Sequence, residues 1–317
     1  MMKPALVLSD HTVALGVIRS LGQMGVPIIL FCYRDGDMAH YSRYVKEIVW
    51  VPHPEKFEYQ FIDIIMQQKE RFGGSFLVPC SDETLVAVSR HKERLTEHFV
   101  VACPDQEVVS RYIDKKHTYL LAESAGVPVP KTFVPASLED VERYAAGIEF
   151  PYLVKPSQSH LFYKRFKRKM IPVKNRDEMI SVYQMAAENH LEVMLQEIIP
   201  GEDDAVVNYN AYTSEGQAKT EFTSRHIRNA PHQWGSPRVA LSEWIPEVIE
   251  PGRKALQSIG FSGYACTEFK RDARDGIYKL MEINGRHNLS GLLAVRCGIN
   301  FPWLHYRHLM EGESPQA

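Results

Sequence analysis

Four short apolar runs near the start of the chain, "ALVLS" (5–9), "VPIILF" (26–31), "SFLVP" (75–79) and "FVVAC" (99–103), restrict the fold more than any other feature. Each has the length of a buried strand and is too short for a core helix. Between the first two lies "TVALGVIRSLGQMG", where Val13, Val17 and Leu21 are spaced for one helical face. Strand, amphipathic helix, strand is the βαβ pattern, and its repetition predicts a small parallel sheet over residues 1 to about 110. Ligands of such sheets sit beyond the carboxyl ends of the strands, here Ser9, Asp10 and the "CSDE" segment, Cys80 to Glu83. Helix capping accounts for the same residues equally well, and both readings stand at this point. No G-x-G-x-x-G follows the first strand, so a dinucleotide cofactor is not expected there.

A chain of 317 residues exceeds one small core, and its later segments change character. In "IDKKHTYLLAESAGVPVPKTFV" (113–134), Asp114 is placed as a helix cap, Gly126 as a stop, and a Pro-x-Pro exit leads into a strand. "SLEDVERYAAG" starts a helix at Ser137, "FPYLVKPSQS" carries a β-rich run into Lys155, and "NRDEMISVYQMAAENH" adds a helix capped at Asn175. After residue 195 strands dominate, apart from a helix over 246–259 stopped by Gly260.

Charges nearly cancel, at a net −2, leaving no whole-protein field to attract nucleic acid or an anionic membrane. The five cysteines, Cys32, Cys80, Cys103, Cys266 and Cys297, stand singly, which argues against a disulfide framework or zinc knuckle. No apolar run approaches a membrane span, and the opening "MMKPALVLSD" is too short for a signal peptide. The expected location is cytoplasmic.

"KLMEINGRHNLSG" (279–291) places a carboxylate, an amide and a guanidinium at alternate positions. In an extended chain Glu282, Asn284 and Arg286 project together while Met281 and Ile283 face the core. If the preceding hairpin is centred near Asp275, Glu268 of "TEFKRD" lies opposite Glu282. Opposed carboxylates repel, and a divalent cation removes that cost. Two carboxylates and an amide suit magnesium, which takes its other ligands from phosphate and water. A solvated Glu282–Arg286 ion pair is the plainer alternative, worth roughly 0–1 kcal/mol.

Taken together, "DKKHTYLLAESAGVPVPKT", "PYLVKP", "LQEIIPGED", "TEFKRD" and "EINGR" resemble, in order, an ATP-grasp enzyme, the superfamily of biotin carboxylase, D-alanine–D-alanine ligase and carbamoyl phosphate synthetase. "SRYV" (42–45), "VPCSDE" and "IRNAPHQWGSP" look typical of the predicted ATP-dependent carboxylate–amine ligases that include D-aspartate ligase. The resemblance implies an α/β and α+β chain. It divides into a Rossmann-like pre-ATP-grasp parallel sheet domain (1–112), a small lid subdomain (113–195) and a C-terminal subdomain carrying the metal site (196–317). It implies ATP and Mg2+, two ions with Mn2+ as a substitute, held by Glu268, Glu282 and Asn284. Lys115 and Lys155 match the lysines that hold phosphates. Gln196, Glu197, Ile198 and Ile199 match the adenine hinge, with Asp203 or Asp204 near the ribose. Arg286 matches the arginine that stabilises phosphate and the intermediate.

Two departures stand out. Where many relatives carry a glycine-rich loop, this chain has "SQSHLFYKRFKRKMIPV" (157–173). Its Lys164, Arg165, Lys167, Arg168 and Lys169 suit a mobile lid over triphosphate, with Lys169 the foremost candidate, or a solvated face. Interleaved with Phe162, Tyr163 and Phe166 they also admit a nucleic-acid contact, the weakest reading. The ending, "FPWLHYRHLMEGESPQA", follows soon after the metal strand, where many relatives continue.

The resemblance thus implies a ligase joining a small-molecule carboxylate to an amine through an acyl phosphate. Arg228 is a candidate for holding a substrate carboxylate or phosphate. His287 and Asn288 are placed for the acceptor, with helix capping as the alternative for His287, and the backbone near Ser290 and Gly291 for the oxyanion. Neither nucleic acid nor membrane is an expected partner, and a homodimer is expected only by analogy. A kinase-type phosphotransferase and a non-catalytic nucleotide-binding regulator are the rival readings.

Overall fold

The computed structural model describes residues 2–34, 36–157, 162, 165–168, 170–233 and 235–314. The first apolar runs do form a parallel sheet: β1 (Ala5–Leu8), β2 (Ile28–Cys32), β3 (Val45–Trp50), β4 (Phe76–Pro79) and β5 (Val100–Val101), in the order β3-β2-β1-β4-β5. Strand β3 escaped the sequence reading. It is an edge strand whose Lys46, Ile48 and Trp50 face solvent, so it shows no continuous apolar run. Helices α1 (Thr12–Gln23), α2 (Glu58–Gln67), α3 (Lys69–Phe72), α4 (Asp82–Arg90), α5 (Lys92–Thr96), α6 (Gln106–Ile113) and α7 (Lys115–Ser124) connect and flank these strands.

Because the strand order reverses at β1, the crevice of this sheet lies beyond the carboxyl ends of β1 and β4. Capping explains part of the polar cluster there. Ser81 caps α4 and exchanges hydrogen bonds with Thr84, whereas α1 is capped by His11, whose Nδ1 accepts from Val13 N–H at 3.1 Å. Neither Ser9 nor Asp10 caps it. Ser9 instead holds φ 123°, a strained backbone for a residue with a side chain.

A second sheet is small: β6 (Thr132–Phe133), β7 (Tyr152–Pro156), β8 (Ile171–Val173) and β9 (Val193–Glu197), in the order β6-β9-β7-β8 with antiparallel pairing. Helices Leu138–Ala145 and Arg176–Glu188 start at Ser137 and Asn175, as their caps predict. They close a separate hydrophobic core on this sheet, built on Val154, Met179 and Leu195. Phe162 is fully buried in it with the half-buried Phe166 packed against it, so Phe162 is a core residue and not free to stack on a base.

The third sheet is antiparallel: β10 (Val206–Ser214), β11 (Gln217–Ala230), β12 (Ser236–Ser242), β13 (Gly263–Arg271) and β14 (Tyr278–Asn284), in the order β12-β11-β10-β13-β14. One hydrophobic core joins its inner face to the first sheet. Val207, Tyr209, Phe269, Leu280 and Ile283 pack in the same cluster as Leu6, Leu8, Phe31 and Leu77, with Tyr112 and Ala122 between. Helix α7 therefore packs against this shared core and β14, not on the small sheet.

The β13–β14 hairpin pairs Glu268 with Glu282, but not through a regular ladder. Phe269 pairs with Leu280, which leaves Met281 as the extra residue of a β-bulge. The bulge resets the alternation, so the core-facing residues are Leu280 and Ile283, and Met281 is only half-buried. The expectation that Met281 faces the core is corrected accordingly. Strand β14 also ends at Asn284, which puts Arg286 beyond the sheet instead of on its face. Leu280→Ala is expected to cost about 2–5 kcal/mol in urea unfolding and Met281→Ala under about 1 kcal/mol. Equal costs would contradict the bulge.

Candidate active site

Away from the core, β10, β13 and β14 present polar side chains in two rows. Asn208 lies opposite Glu268, which lies opposite Glu282; Asn210 lies opposite Cys266, which lies opposite Asn284. Period-two alternation puts both rows on one face, because Val207, Tyr209 and Ile283 between them are in the core. Asn208 and Asn210 were legible as the alternating amides of "NYN", yet the sequence reading passed over them.

Opposed carboxylates need cations, and α7 supplies one. Lys115, its first residue, reaches Glu282 Oε1 at 2.9 Å. Burial would raise the Glu282 carboxyl, but Lys115, then Lys155 and Arg286, outweigh it and hold the group at about 2. Glu282 therefore pairs with Lys115 and not with Arg286, which overturns the surface ion-pair reading.

Lys155, on β7, is 6% exposed, as its position in an apolar strand predicts. Its Nζ donates to Tyr119 Oη at 2.9 Å and Gln196 Oε1 at 3.0 Å. Tyr119 in turn donates to the Met281 carbonyl at 2.7 Å, so α7 links the lysine of the small sheet to the carboxylate strand. Among the described residues no carboxylate lies within ion-pair distance of Lys155, a buried cation well suited to an anionic ligand.

The hinge residues are more heavily engaged than the resemblance implies. Gln196 is fully buried and supports Lys155, its Nε2 donating to Thr132 Oγ1 at 2.8 Å. The Glu197 carboxylate accepts from Lys131 N–H at 2.9 Å and Arg274 Nη2 at 2.8 Å, with Lys279 Nζ at 3.4 Å. Burial opposes its ionisation, and these donors still leave it below the usual range. Its acid group thus fastens β9 to the β13–β14 turn and is not free to grip a base. Ile198 is half-buried and Ile199 buried.

Asp203 accepts from Asn229 N–H and Gln233 N–H, both at 2.8 Å, and from His232 Nδ1 at 3.0 Å. The Asn229 N–H bond leads the interactions that keep its carboxyl at about 2. Asp203 is therefore an anchor for the 229–233 loop, leaving the exposed Asp204 as the freer ribose candidate.

Arg286 is held across the molecule. Its Nε and Nη2 donate to Asp82 Oδ1 and Oδ2 at 2.7 and 3.0 Å, a bidentate pair with the first turn of α4. His287 is buried and stacked on Tyr264, with centroids 4.4 Å apart, and burial pushes its imidazole down to about 3. It is a neutral packing residue, and it does not cap the following helix, which begins after Ser290. Asn288 donates to Asn210 Oδ1 at 2.9 Å and Cys266 Sγ at 3.0 Å, and Ser290 Oγ accepts from Asn208 Nδ2 at 3.5 Å. Arg228 is exposed on β11, and no described contact brings it to Glu282 or Lys155. Lys169 lies outside the described residues, as do Lys164 and Tyr163. Arg165 donates to Asn189 on the small unit at 2.7 Å.

No protein-family model matches the chain. Solved structures do. Biotin carboxylase from Campylobacter jejuni, in complex with β,γ-ATP, superposes with a TM-score of 0.80 over all of this chain and 72% of its own, at 16% identity. L-amino acid ligase from Bacillus licheniformis gives 0.74 over 98% of this chain and 74% of its own, also at 16% identity. The chain has the ATP-grasp fold. In sequence, this ATP-grasp chain is 27% identical over 258 residues to D-aspartate ligase of Enterococcus faecium, covering 76% of this chain and 61% of that protein. It is 25% identical over 203 residues to D-alanine–D-alanine ligase of Ectopseudomonas mendocina, covering 61% and 63%. The chain thus spans about three fifths of the length of these curated relatives.

Within the ATP-grasp frame the donor set fits a hard cation. Among the described residues no three His, Cys, Asp or Glu converge; the oxygens that this face would offer such a cation are those of the carboxylate pair and of the Asn284 and Asn208 amides. Among the described residues no helix is long and apolar enough to cross a membrane.

The Lys115–Glu282 pair fixes a pH dependence. A carboxyl held at about 2 against a usual 4.5 contributes stability that is present above 4.5 and lost as the pH falls toward 2. In a carbon-detected NMR titration Glu282 is expected to remain ionised at about pH 4, and Lys115→Met to move its midpoint upward. An unmoved midpoint would show that Lys115 does not control this carboxylate.

Proposed function

We propose that the chain is an ATP-dependent carboxylate–amine ligase that releases ADP and phosphate. The observation that carries this reading is the in-register Glu268–Glu282 pair, with Lys115 on one carboxylate and the buried Lys155 beside it, which has no carboxylate within ion-pair distance among the described residues. The named activities of its relatives, D-aspartate ligase and D-alanine–D-alanine ligase, support it. In this reading residues 1–112 act as the pre-ATP-grasp unit, 196–317 as the metal-bearing unit, and the small sheet with its two helices, within 113–195, as the lid, while α7 at the start of that span belongs with the shared core.

The substrate carboxylate attacks the γ-phosphorus of ATP, the β,γ-bridging O–P bond breaks, and ADP departs from an acyl phosphate. The amine then attacks the acyl carbon, loses a proton, and expels phosphate by breaking the C–O bond. Lys115 and Lys155 stabilise phosphate charge, and Arg286 the developing oxyanion. Backbone and apolar contacts at Gln196–Ile199 take the base, and Asp204 the ribose. Glu268, Glu282 and Asn284 would hold magnesium, as two ions, which neutralises phosphate oxygens during transfer.

Purified protein with ATP, magnesium and hydroxylamine, across a panel of amino acids, dipeptides and other small carboxylates, is expected to form hydroxamate with one class of acid. Glu282→Gln should lower the rate at least about 100-fold without unfolding the chain, and Lys155→Ala should weaken ATP binding about tenfold or more. A stable phosphoester in place of hydroxamate would establish the kinase reading, and no turnover with intact ATP binding the regulator reading.

A further inference from the structure

Arg286 follows Gly285, whose backbone lies so close to the Tyr112 ring that a β-carbon there would collide with the hydroxyl oxygen. His287 after it is buried under Tyr264. Both neighbours fix the backbone, yet an arginine side chain has several rotatable bonds beyond it, and a charge that must meet a developing oxyanion needs its far end fixed as well. The bidentate contact with Asp82 does this. The Arg286 side chain is 19% exposed and that of Asp82 53%, so the pair is not a buried salt bridge needed to neutralise the core. Its distinctive property is direction, since two parallel N–H···O bonds set both the position and the plane of the guanidinium.

Asp82 is itself firmly placed. It is the first residue of α4, behind the reciprocal Ser81–Thr84 cap, and Ser81 Oγ lies 2.8 Å from the Tyr33 hydroxyl. The next residue, Glu83, pairs with Arg34 at 2.8 Å. Adjacent carboxylates at the carboxyl end of β4 thus hold one arginine from the segment just past β14 and one from the crevice of the parallel sheet.

We propose that Asp82 is a positioning residue: the N-terminal sheet sets the guanidinium of Arg286 through it, so the reaction site is complete only when the two sheets are docked. This rests on the ligase reading above for its kinetic consequence, though not for its geometry. Asp82→Asn keeps the shape of the side chain, removes its charge and replaces one of the two acceptor oxygens with an NH2 donor. Its kcat is expected to fall about 10–100-fold with KM for ATP within about twofold, because the loss falls on the transition state. Asp82→Glu should recover most of that loss. In Arg286→Gln, adding Asp82→Asn should cost less than about twofold more, since the two residues act as one unit. Asp82→Ser carries the same test if Asp82→Asn fails to fold.

An independent readout is the Arg286 Nε–H signal by NMR, expected to exchange with solvent at least about tenfold faster in Asp82→Asn. Wild-type kcat in Asp82→Asn, higher activity, additive losses in the double variant, or unchanged Nε–H exchange would each overturn the proposal. A wild-type protein with no turnover on any donor would instead sink the ligase reading, and the exchange measurement would still decide the role of Asp82.

Discussion

Glu268 and Glu282 sit opposite one another on neighbouring strands, where like charges repel, and much of the surrounding structure answers that repulsion. Lys115 opens α7 against one carboxylate, Lys155 and Arg286 add positive potential, and Asn208 and Asn284 supply neutral oxygens alongside. Glu282, kept ionised well below the usual carboxylate range, offers its charge to a cation at any physiological pH. The bulge at Met281 belongs to the same design. It brings Glu282 into register with Glu268 while Leu280 and Ile283 on either side remain in the core.

The cations come from different parts of the chain, so the site depends on how those parts are tied together. Tyr119 joins Lys155 of the small sheet to the Met281 carbonyl. Glu197, Asp272, Arg274 and Lys279 form an ionic joint between the end of β9 and the β13–β14 turn, with Lys279 Nζ 2.6 Å from Asp272. Asp82 reaches Arg286 from the parallel sheet, and the helix Phe301–Glu311 returns to that sheet, its Tyr306 hydroxyl donating to the Lys3 carbonyl at 2.7 Å. None of these links is large; those through Tyr119 and Asp82 end on Lys155 and Arg286, the cations beside the polar face.

Much of this was legible in the sequence, because it depends on short-range rules. The parallel strands followed from short apolar runs, the caps at Asp114, Ser137 and Asn175 from their side chains, and the polar face of β13–β14 from period-two spacing. The failures have physical causes. Strand β3 is an amphipathic edge, and its charges hid it. A bulge leaves no mark in composition, so Met281 was put on the wrong side. Partner choice across the fold is not local, and nothing in "EINGR" or "CSDE" says that Arg286 will meet Asp82, nor anything in "LQEIIPGED" that Glu197 and Asp203 will be saturated by residues far downstream.

The central claim is that the opposed carboxylates hold a divalent cation together with nucleotide phosphate. Electron paramagnetic resonance of Mn2+ with a non-hydrolysable ATP analogue tests it most directly, comparing the wild type with Glu268→Gln. The account predicts nucleotide-dependent Mn2+ binding to the wild type, weakened at least about tenfold by the substitution. Equal binding in both proteins would contradict it.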